Sequence, residues 1–333
     1  MSKPKALVTA AYSEEGLAFL REHYDVEYHN WMEQGRAFSE DELLDMVEDK
    51  ELIIVEVCDL HKKVVDKAKN VKIVGCCRGL RGDDNTLDVP ALTERKIPVL
   101  FAPGRNLNAV AEYTIMLTLA AMKKAKASTK WLNANNWKSW LDFYITFRTA
   151  ELQGKRVGIL GFGNIGKRVA KLFNAFEAEV VSYDPFITDE KVYEERNVKM
   201  VDLETLLKTS DVVTLHMNVS DESKGFIGKE ELAMMKNGAF LINSARAVLV
   251  DHDALLDAVK SKKLGGVAMD VFYSEPATTE NEPLLAFDNV FATPHMAGTT
   301  NDVIVNHSRM INDGIKALQN NEKPDFVLNP EVL

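Results

Sequence analysis

The chain has 333 residues, which is too long for one hydrophobic core of ordinary size and predicts two domains. Its 40 basic and 50 acidic residues give a net charge of -10, which argues against electrostatic binding to nucleic acid or to an anionic membrane. No apolar stretch reaches the roughly 18 residues of a membrane-spanning helix, and the N-terminus lacks the pattern of a signal peptide. Three cysteines, with no Cys/His spacing typical of zinc sites, predict a reduced cytoplasmic protein without a bound metal.

In the first third of the chain, short apolar runs alternate with helical patterns, as in a parallel sheet covered by helices on both faces. A long helical pattern over 109–126 follows, and then a tryptophan-rich segment over 131–140. The apolar runs that predict strands are 5–10, 52–57, 71–75 and 98–101, and the helical patterns between them include 40–48 and 62–69.

A second and stronger alternation begins near residue 156. The helical pattern over 165–176 has one apolar stripe, and the last stretch, 301–320, is again helical. Six strands separated by helices predict a doubly wound, dinucleotide-binding sheet. The predicted strands are 156–160, 179–183, 212–215, 239–242, 266–269 and 290–292.

One segment reads Gly-Phe-Gly-Asn-Ile-Gly from Gly161 onward and fits the G-x-G-x-x-G pattern. The pattern alone is weak, but here a predicted strand leads into it and an amphipathic helix follows it. We expect Gly161 to permit a tight turn, Gly163 to let the backbone approach a pyrophosphate, and Gly166 to let the helix pack closely on the sheet. The N–H groups of Asn164 and Ile165 would face the phosphates from the start of that helix.

Asp184 lies 23 residues after Gly161, at the end of the next predicted strand. A carboxylate there can accept hydrogen bonds from the hydroxyls of an adenine ribose and would repel a 2′-phosphate, so the sequence predicts NAD rather than NADP. The alternative is that Asp184, which precedes Pro185, only begins a turn. The order of strand, loop, helix, strand and acid favours the cofactor interpretation.

Three polar residues follow later predicted strands: Arg246, Glu275 and His295. The carboxyl ends of parallel strands form the edge where open α/β sheets bind ligands. Oxidation of a hydroxy acid needs a cation for the substrate carboxylate, a base for the hydroxyl proton and a carboxylate that orients the base. Singly, such residues are more often surface charges or turn residues, but their shared position favours a catalytic set.

The chain also resembles the D-isomer-specific 2-hydroxyacid dehydrogenases, a family that includes phosphoglycerate dehydrogenases and glyoxylate/hydroxypyruvate reductases. The matching segments extend over most of residues 70–300. They read RKIPVLFAPGRNLNAVAEYTIML, ELQGKRVGILGFGNIGKRVAKLF, SDVVTLHMNVS, MKNGAFLINSARAVLVD, LGGVAMDVFYSEP and NVFATPHMAGTT. The resemblance implies an enzyme that moves a hydride between NAD and C2 of a D-2-hydroxy acid.

Site residues can be transferred from the family one by one. The family's Arg, Glu and catalytic His correspond to Arg246, Glu275 and His295. The Asp with which the family holds the nicotinamide carboxamide corresponds to Asp270. Further cofactor contacts are expected at two residues of the matching segments, His216 and Ala245.

The resemblance further implies two doubly wound parallel-sheet domains. Residues 1–104 with 299–333 would form a discontinuous, flavodoxin-like substrate domain, and 105–298 a Rossmann NAD-binding domain. The active site would lie in an inter-domain cleft whose closure excludes water. The 109–126 helix and the tryptophan-rich segment would form a two-fold homodimer interface.

Two departures from the family pattern concern the substrate. Ala247 replaces the Gly that usually follows the catalytic Arg, and the loop CCRGLRGDDNTLD differs from the family's usual substrate loop. We place N–H contacts to the substrate carboxylate at Gly79, Leu80 and Arg81.

The substrate itself stays open between a phosphoglycerate-like and a hydroxypyruvate- or glyoxylate-like acid. Four basic residues could bind a phosphate or a second carboxylate, although solvated surface charge is the commoner role of such residues. An NAD-responsive binding module related to transcriptional corepressors is an alternative, as is a formate or phosphite enzyme, although formate enzymes typically have Gln in place of Glu275. The four basic residues are Arg78, Arg81, Arg105 and Lys138.

Overall fold

The computed structural model describes residues 3–79 and 86–333. The chain divides into two compact units. The N-terminal unit contains the chain up to Asn106 together with Thr300–Leu333, and the central unit runs from Leu107 to Thr299. The substrate-binding and cofactor-binding roles of the two parts stay predictions. Among the described residues, no helix is long and apolar enough to cross a membrane.

The N-terminal unit is built on a five-stranded, all-parallel sheet. Its strands are β1 (Lys5–Val8), β2 (Asp25–Tyr28), β3 (Leu52–Val55), β4 (Ile73–Cys76) and β5 (Val99–Phe101). The order β2-β1-β3-β4-β5 confirms the flavodoxin-like prediction. Successive residues of β1 and β3 join two separate hydrophobic clusters, one on each face, which is why these strands read as continuous apolar runs.

Strand β2 was not predicted from the sequence. It is an edge strand that begins with the exposed Asp25, and its other residues are only half-buried, so it lacks an apolar run. Among its described residues, the α-helices of this unit are α1 (Glu14–His23), α2 (Trp31–Gln34), α3 (Glu40–Met46), α4 (Lys62–Lys67), α5 (Val89–Glu94) and α14 (Asn301–Gln319). Helix α14 packs Ile311 and Ile315 into the cluster on one face of the sheet.

The central unit has a seven-stranded sheet, again all parallel. Its strands are β6 (Arg156–Leu160), β7 (Glu179–Tyr183), β8 (Lys199–Met200), β9 (Val212–Leu215), β10 (Phe240–Asn243), β11 (Gly266–Met269) and β12 (Val290–Ala292). The order β12-β11-β10-β9-β6-β7-β8 is the doubly wound dinucleotide-binding order with one added strand, and it confirms the Rossmann prediction.

The prediction of one continuous helix over 109–126 is wrong, because the chain breaks at Lys124, whose φ is +54°. The sequence has no glycine or proline there. The break comes with tertiary contacts: Lys123 Nζ donates to the Ala150 carbonyl at 2.7 Å, and Lys126 Nζ donates to two carbonyls of the 285–287 segment. The helices of this unit are α6 (Leu107–Met122), α7 (Ala125–Asn133), α8 (Trp140–Thr146), α9 (Asn164–Ala175), α10 (Glu190–Glu194), α11 (Leu203–Thr209), α12 (Lys229–Met234) and α13 (His252–Lys260).

Candidate active site

The glycine-rich turn joins β6 to α9 and contains the first predicted cofactor residues. Gly161 has a φ of +91°, and a Cβ built on it would lie 2.6 Å from the carbonyl oxygen of His216. A Cβ on Gly166 would lie 2.1 Å from the carbonyl oxygen of Gly161. Both positions need glycine because other parts of the backbone pack directly against them.

Gly163 is in a different situation. A Cβ on it would meet no heavy atom within 4 Å, so nothing in the protein itself requires glycine there. As the cap residue of α9, Gly163 also offers no side chain to the N–H groups of the first turn, which begins at Asn164 and Ile165. An open approach to an uncapped helix N-terminus is the arrangement that binds a pyrophosphate.

Asp184 follows β7 and bonds to the glycine-rich turn. Its carboxylate accepts hydrogen bonds from the N–H groups of Phe162 at 2.7 Å, Phe186 at 2.9 Å and Ile187 at 3.3 Å. Asp184 therefore does begin a turn, and it also ties that turn to the predicted phosphate loop. Tyr193 stacks on Phe162 with ring centroids 4.4 Å apart, and its hydroxyl donates a hydrogen bond to the Ile187 carbonyl. These two contacts of Tyr193 stabilise the turn after β7.

His216 lies against the same turn from the end of β9. Its N–H donates to the Leu160 carbonyl at 2.7 Å, and its Nε2 lies 3.0 Å from Thr214 Oγ1. Burial lowers the pKa of His216 to about 3, so this imidazole is neutral at any pH near 7. His216 is therefore no candidate for acid–base chemistry.

His295 and Glu275 come from the loops after β12 and β11 and meet as a pair. His295 Nδ1 lies 2.8 Å from Glu275 Oε2 and 3.0 Å from Oε1. Partial burial raises the pKa of Glu275, but the hydrogen bonds from His295 and the Phe272 N–H, with the charges of His295 and Arg246, lower it more. The net pKa lies below the ordinary value, and Glu275 is an ionised acceptor.

That ionised carboxylate decides which imidazole nitrogen carries a proton. Because Glu275 can only accept, Nδ1 of His295 must be the donor. Within the described residues, Nε2 of His295 makes no hydrogen bond, and the side chain is 45% exposed. His295 also has a φ of +50°, an uncommon conformation for a residue other than glycine. The pair thus offers one free nitrogen, fixed in direction, to a ligand.

Arg246 follows β10 on a turn held by Asn243. The Asn243 amide donates to the Arg246 carbonyl at 2.9 Å, and its oxygen accepts from the Ala245 N–H at 3.0 Å. The Arg246 side chain is exposed, with one hydrogen bond to the Ala245 carbonyl, and its charge acts on Glu275. Ala247, where the family usually has Gly, is the first residue of a short 3-10 helix, and its side chain is buried.

Comparison with known proteins shows the family of this chain. Residues 115–297 match the family model described as D-isomer specific 2-hydroxyacid dehydrogenase, NAD binding domain. The chain belongs to this family. It is an NAD-dependent D-2-hydroxyacid dehydrogenase, as the sequence predicted.

Individual relatives are similar over nearly the whole chain. YoaD of Bacillus subtilis, provisionally named a 2-hydroxyacid dehydrogenase, is 38% identical over 93% of this chain and 89% of its own length. The glyoxylate reductase of Thermofilum pendens is 34% identical over 100% of this chain and 96% of its own length. The D-3-phosphoglycerate dehydrogenase of Archaeoglobus fulgidus is 38% identical over 93% of this chain, which covers 56% of that longer protein.

A solved structure supports the same fold. The D-lactate dehydrogenase of Aquifex aeolicus, crystallised with NAD and lactic acid, has a TM-score of 0.74. Its sequence is 25% identical, and the match covers 98% of this chain and 99% of that one. The match to the NAD-binding family model confirms the cofactor NAD, which the glycine-rich loop and Asp184 predicted.

Asp270 has a more definite structural role in this dehydrogenase than the sequence indicated. Its side chain is wholly buried, and its carboxylate accepts from Thr293 Oγ1 at 2.6 Å, the Met296 N–H at 2.9 Å and the Ala297 N–H at 2.8 Å. These three bonds fix the loop that carries His295. The predicted contact of Asp270 with the nicotinamide stays a prediction.

The predicted substrate loop is only partly described. Leu80 and Arg81 lie outside the described residues, and Gly79 is the last residue before them. A Cβ on Gly79 would lie 3.3 Å from the Cα of Pro103, so this backbone packs tightly on the segment after β5.

Asn243 and Thr293, which hold the loops of the predicted catalytic residues, were not predicted from the sequence. The sequence feature that could have indicated them is a polar side chain at the end of a predicted strand, within three residues of a predicted catalytic residue. Within residues 3–79 and 86–333, no group of three His, Cys, Asp or Glu side chains could hold a metal ion.

Proposed function

We propose that the protein interconverts a D-2-hydroxy acid and its 2-keto acid with His295 as the acid–base group. The observation that carries this proposal is the His295–Glu275 pair, in which Nδ1 is committed to an ionised carboxylate while Nε2 is free and exposed. An imidazole held in this way can exchange a proton at one defined atom.

In the reductive direction, protonated His295 gives its Nε2 proton to the carbonyl oxygen of the 2-keto acid. When bound, NADH would supply the hydride for C2. After the proton transfer the imidazole of His295 is neutral, and the product is the hydroxy acid. In the oxidative direction, neutral His295 takes the hydroxyl proton at Nε2. Glu275 stabilises the imidazolium through Nδ1 in both directions.

Arg246 is assigned to the substrate carboxylate. A guanidinium can bind a carboxylate through two parallel hydrogen bonds, and Arg246 is exposed on a turn that Asn243 fixes. We also assign N–H donors for the same carboxylate to the loop of Gly79, Leu80 and Arg81, as the family resemblance implies.

The cofactor contacts are assigned to groups around the glycine-rich turn and the strand ends beside it. The uncapped start of α9 would face the pyrophosphate, and Asp184 would accept from the ribose hydroxyls, which favours NAD over NADP. The full assigned set is Gly161, Gly163, Asn164, Ile165, Gly166, Asp184, His216, Ala245 and Asp270. By the same resemblance, the central unit is the cofactor domain and the N-terminal unit the substrate domain.

For the substrate, we propose a phosphoglycerate-like or a hydroxypyruvate/glyoxylate-like acid. The support is the similarity to a D-3-phosphoglycerate dehydrogenase and to a glyoxylate reductase, two relatives that differ in the size and charge of their named substrates.

We further propose a cytoplasmic homodimer. The α7–α8 region exposes large apolar side chains, including Trp137 at 55%, Trp140 at 66% and Ile145 at 83%, which is typical of a protein interface. The three cysteines are buried thiols, as expected in a reducing compartment. Light scattering of the wild type and of the Trp140→Glu variant checks the dimer, and two monomeric species would overturn it.

A steady-state screen of NADH oxidation tests the reaction. Hydroxypyruvate, glyoxylate, pyruvate and 3-phosphohydroxypyruvate are offered to the wild type and to the His295→Gln variant. We expect turnover of at least one keto acid by the wild type and its loss in the variant. Equal turnover by both proteins would overturn the role of His295, and no turnover by either would overturn the proposed substrate class.

A further inference from the structure

A second cluster of charged groups lies at the carboxyl edge of the sheet in the N-terminal unit. Glu56 comes directly after β3, Arg105 lies four residues beyond the end of β5, and His307 projects from α14. This edge is where open α/β sheets bind ligands. The cluster takes no part in the chemistry assigned to His295.

The groups of this cluster hold Arg105 in one position. Arg105 Nη1 donates to Glu56 Oε1 at 2.6 Å and to His307 Nδ1 at 2.8 Å. The other Glu56 oxygen accepts from Trp31 Nε1 at 2.9 Å, and His307 Nε2 donates to the Ala11 carbonyl at 2.7 Å. Because Nδ1 of His307 accepts and Nε2 donates, this imidazole is neutral. Two buried side chains, Glu56 and His307, thus fix one end of a single guanidinium.

The other end of the guanidinium is unused. Within the described residues, Nη2 and Nε of Arg105 make no hydrogen bond, and the side chain keeps 19% of its surface exposed. Arg95 in the same unit provides a contrast, because both of its Nη atoms donate to backbone carbonyls, those of Val65, Ala68 and Lys69. Arg95 has the bonding of a structural arginine, whereas Arg105 retains a planar edge that fits a carboxylate or a phosphate.

Arg105 also follows the segment on which the predicted substrate loop packs. The Ala102 N–H donates to the Arg78 carbonyl at 2.9 Å, and the Gly79 backbone packs on Pro103. Gly104, with a φ of +73°, then turns the chain into Arg105. The fixed guanidinium and the start of the loop assigned to the substrate carboxylate are therefore parts of one packed segment.

We propose that Arg105 is a specificity-determining residue that binds a second anionic group of the substrate, a carboxylate or a phosphate beyond C2. The inference rests on the proposed 2-keto acid reaction and specifies its substrate class. Glu56 balances the charge of Arg105, so the site selects through positioned donors rather than through an excess of positive charge.

Two matched pairs of keto acids test the proposal by kcat/KM with NADH. Oxaloacetate is compared with 2-oxobutyrate for a carboxylate, and 3-phosphohydroxypyruvate with hydroxypyruvate for a phosphate. We expect the wild type to prefer the doubly anionic member of one pair, which identifies the anion. Arg105→Met should reduce that preference roughly 10- to 100-fold, the effect of losing a hydrogen bond to a charged group. The loss should fall on the KM of the doubly anionic acid.

Control variants separate recognition from structure. Arg105→Lys keeps the charge without the planar fork and should retain an intermediate preference. Arg95→Met removes an arginine of the same unit and should leave the preference unchanged even where it lowers the melting temperature. A wild type without preference in either pair, or an Arg105→Met variant in which both members of a pair weaken equally, would overturn the proposal.

A binding measurement keeps the two proposals separable. Succinate and inorganic phosphate should raise the melting temperature of the wild type more than butyrate does. Arg105→Met should remove this difference, and Arg105→Lys should reduce it. The melting temperature can be measured without turnover. It therefore tests whether Arg105 binds an anion even if no keto acid is reduced and the proposed reaction is wrong. An equal rise in melting temperature with all three probes, or a difference between the probes that Arg105→Met retains in full, would overturn the anion site.

Discussion

Each unit of this protein places a histidine, a carboxylate and an arginine at the carboxyl edge of a parallel sheet. In the central unit, His295 is 45% exposed, and Glu275 engages only one of its ring nitrogens. In the N-terminal unit, His307 is fully buried, and both of its ring nitrogens are engaged.

The same residue types therefore have opposite capacities. His295 pairs with an ionised carboxylate and keeps a free nitrogen, so it can gain and lose a proton in contact with a ligand. For His307, burial and the charge of Arg105 lower the pKa against the opposing effects of Glu56 and the Ala11 carbonyl. His307 stays neutral and serves to orient the arginine. Exposure and the number of occupied ring nitrogens distinguish an acid–base group from a supporting one.

The largest effect should come from replacing the exposed histidine. We expect His295→Gln to lower kcat by roughly 10²- to 10⁴-fold, because proton transfer to the substrate is lost. Binding of NADH, measured by fluorescence titration, should change little. His252→Gln is the matched control, since His252 also pairs with a carboxylate, Glu282, at 3.1 Å in the same unit. A similar loss of kcat in both variants would contradict the comparison.

Replacing the buried histidine should affect stability instead. His307→Leu leaves the Ala11 carbonyl without its donor and removes one acceptor from Arg105. Each unsatisfied buried group costs about 1–3 kcal/mol, so urea unfolding should begin at a lower concentration. Turnover of a keto acid with a single negative charge should stay near the wild-type value. A stable variant without activity would show that His307 takes part in the chemistry.

Substitution of Gly163 and of Gly79 tests which sheet edge binds NADH and which binds the keto acid. Gly163→Ala should weaken NADH binding by roughly tenfold, a change of about 1.4 kcal/mol, without loss of stability, because the new Cβ contacts no protein atom. Gly79→Ala should leave NADH binding unchanged and raise the KM for the keto acid, because its Cβ would press on Pro103 beside the substrate loop. Weaker NADH binding in the Gly79 variant would contradict the assigned division of roles.

The smallest effects concern pH. The pKa of Glu275 is below its usual 4.5, so its contribution to stability is complete above pH 4.5 and is lost as the pH falls through the lowered pKa. The pKa of His307 is below 6.5, so the unfolded chain binds the proton first and stability falls as the pH drops below about 6.5.

Melting temperatures at a series of pH values test both signs. The stability difference between the wild type and His307→Leu should narrow from pH 7 to pH 5. The difference between the wild type and Glu275→Gln should stay constant over that range and narrow only below pH 4.5. Narrowing of both differences over the same pH range would contradict the assigned pKa directions.

Much of the fold could be predicted from the sequence because both sheets are buried on two faces. The strand patterns at 156–160 and 179–183 coincide with β6 and β7 to the residue. The edge strand β2 escaped prediction because half-exposed polar residues leave no apolar pattern. The break in the helix at Lys124 was not predicted, because Lys123 and Lys126 donate to carbonyls far away in the sequence. The local sequence pattern does not indicate such contacts.

For the site, the sequence by itself determined which residue types stand at the strand ends: the glycine-rich turn, Asp184, Arg246, Glu275 and His295. Only the tertiary structure decided what they do to one another. It pairs Nδ1 of His295 with Glu275, and it makes Asp270 a support for the His295 loop. It also distinguishes Arg105 from Arg95, because the donors that an arginine keeps free depend on side chains far away in the chain. The spacing of residues in the sequence indicates where they stand along the chain, whereas the burial and the hydrogen bonds of their side chains depend on tertiary packing.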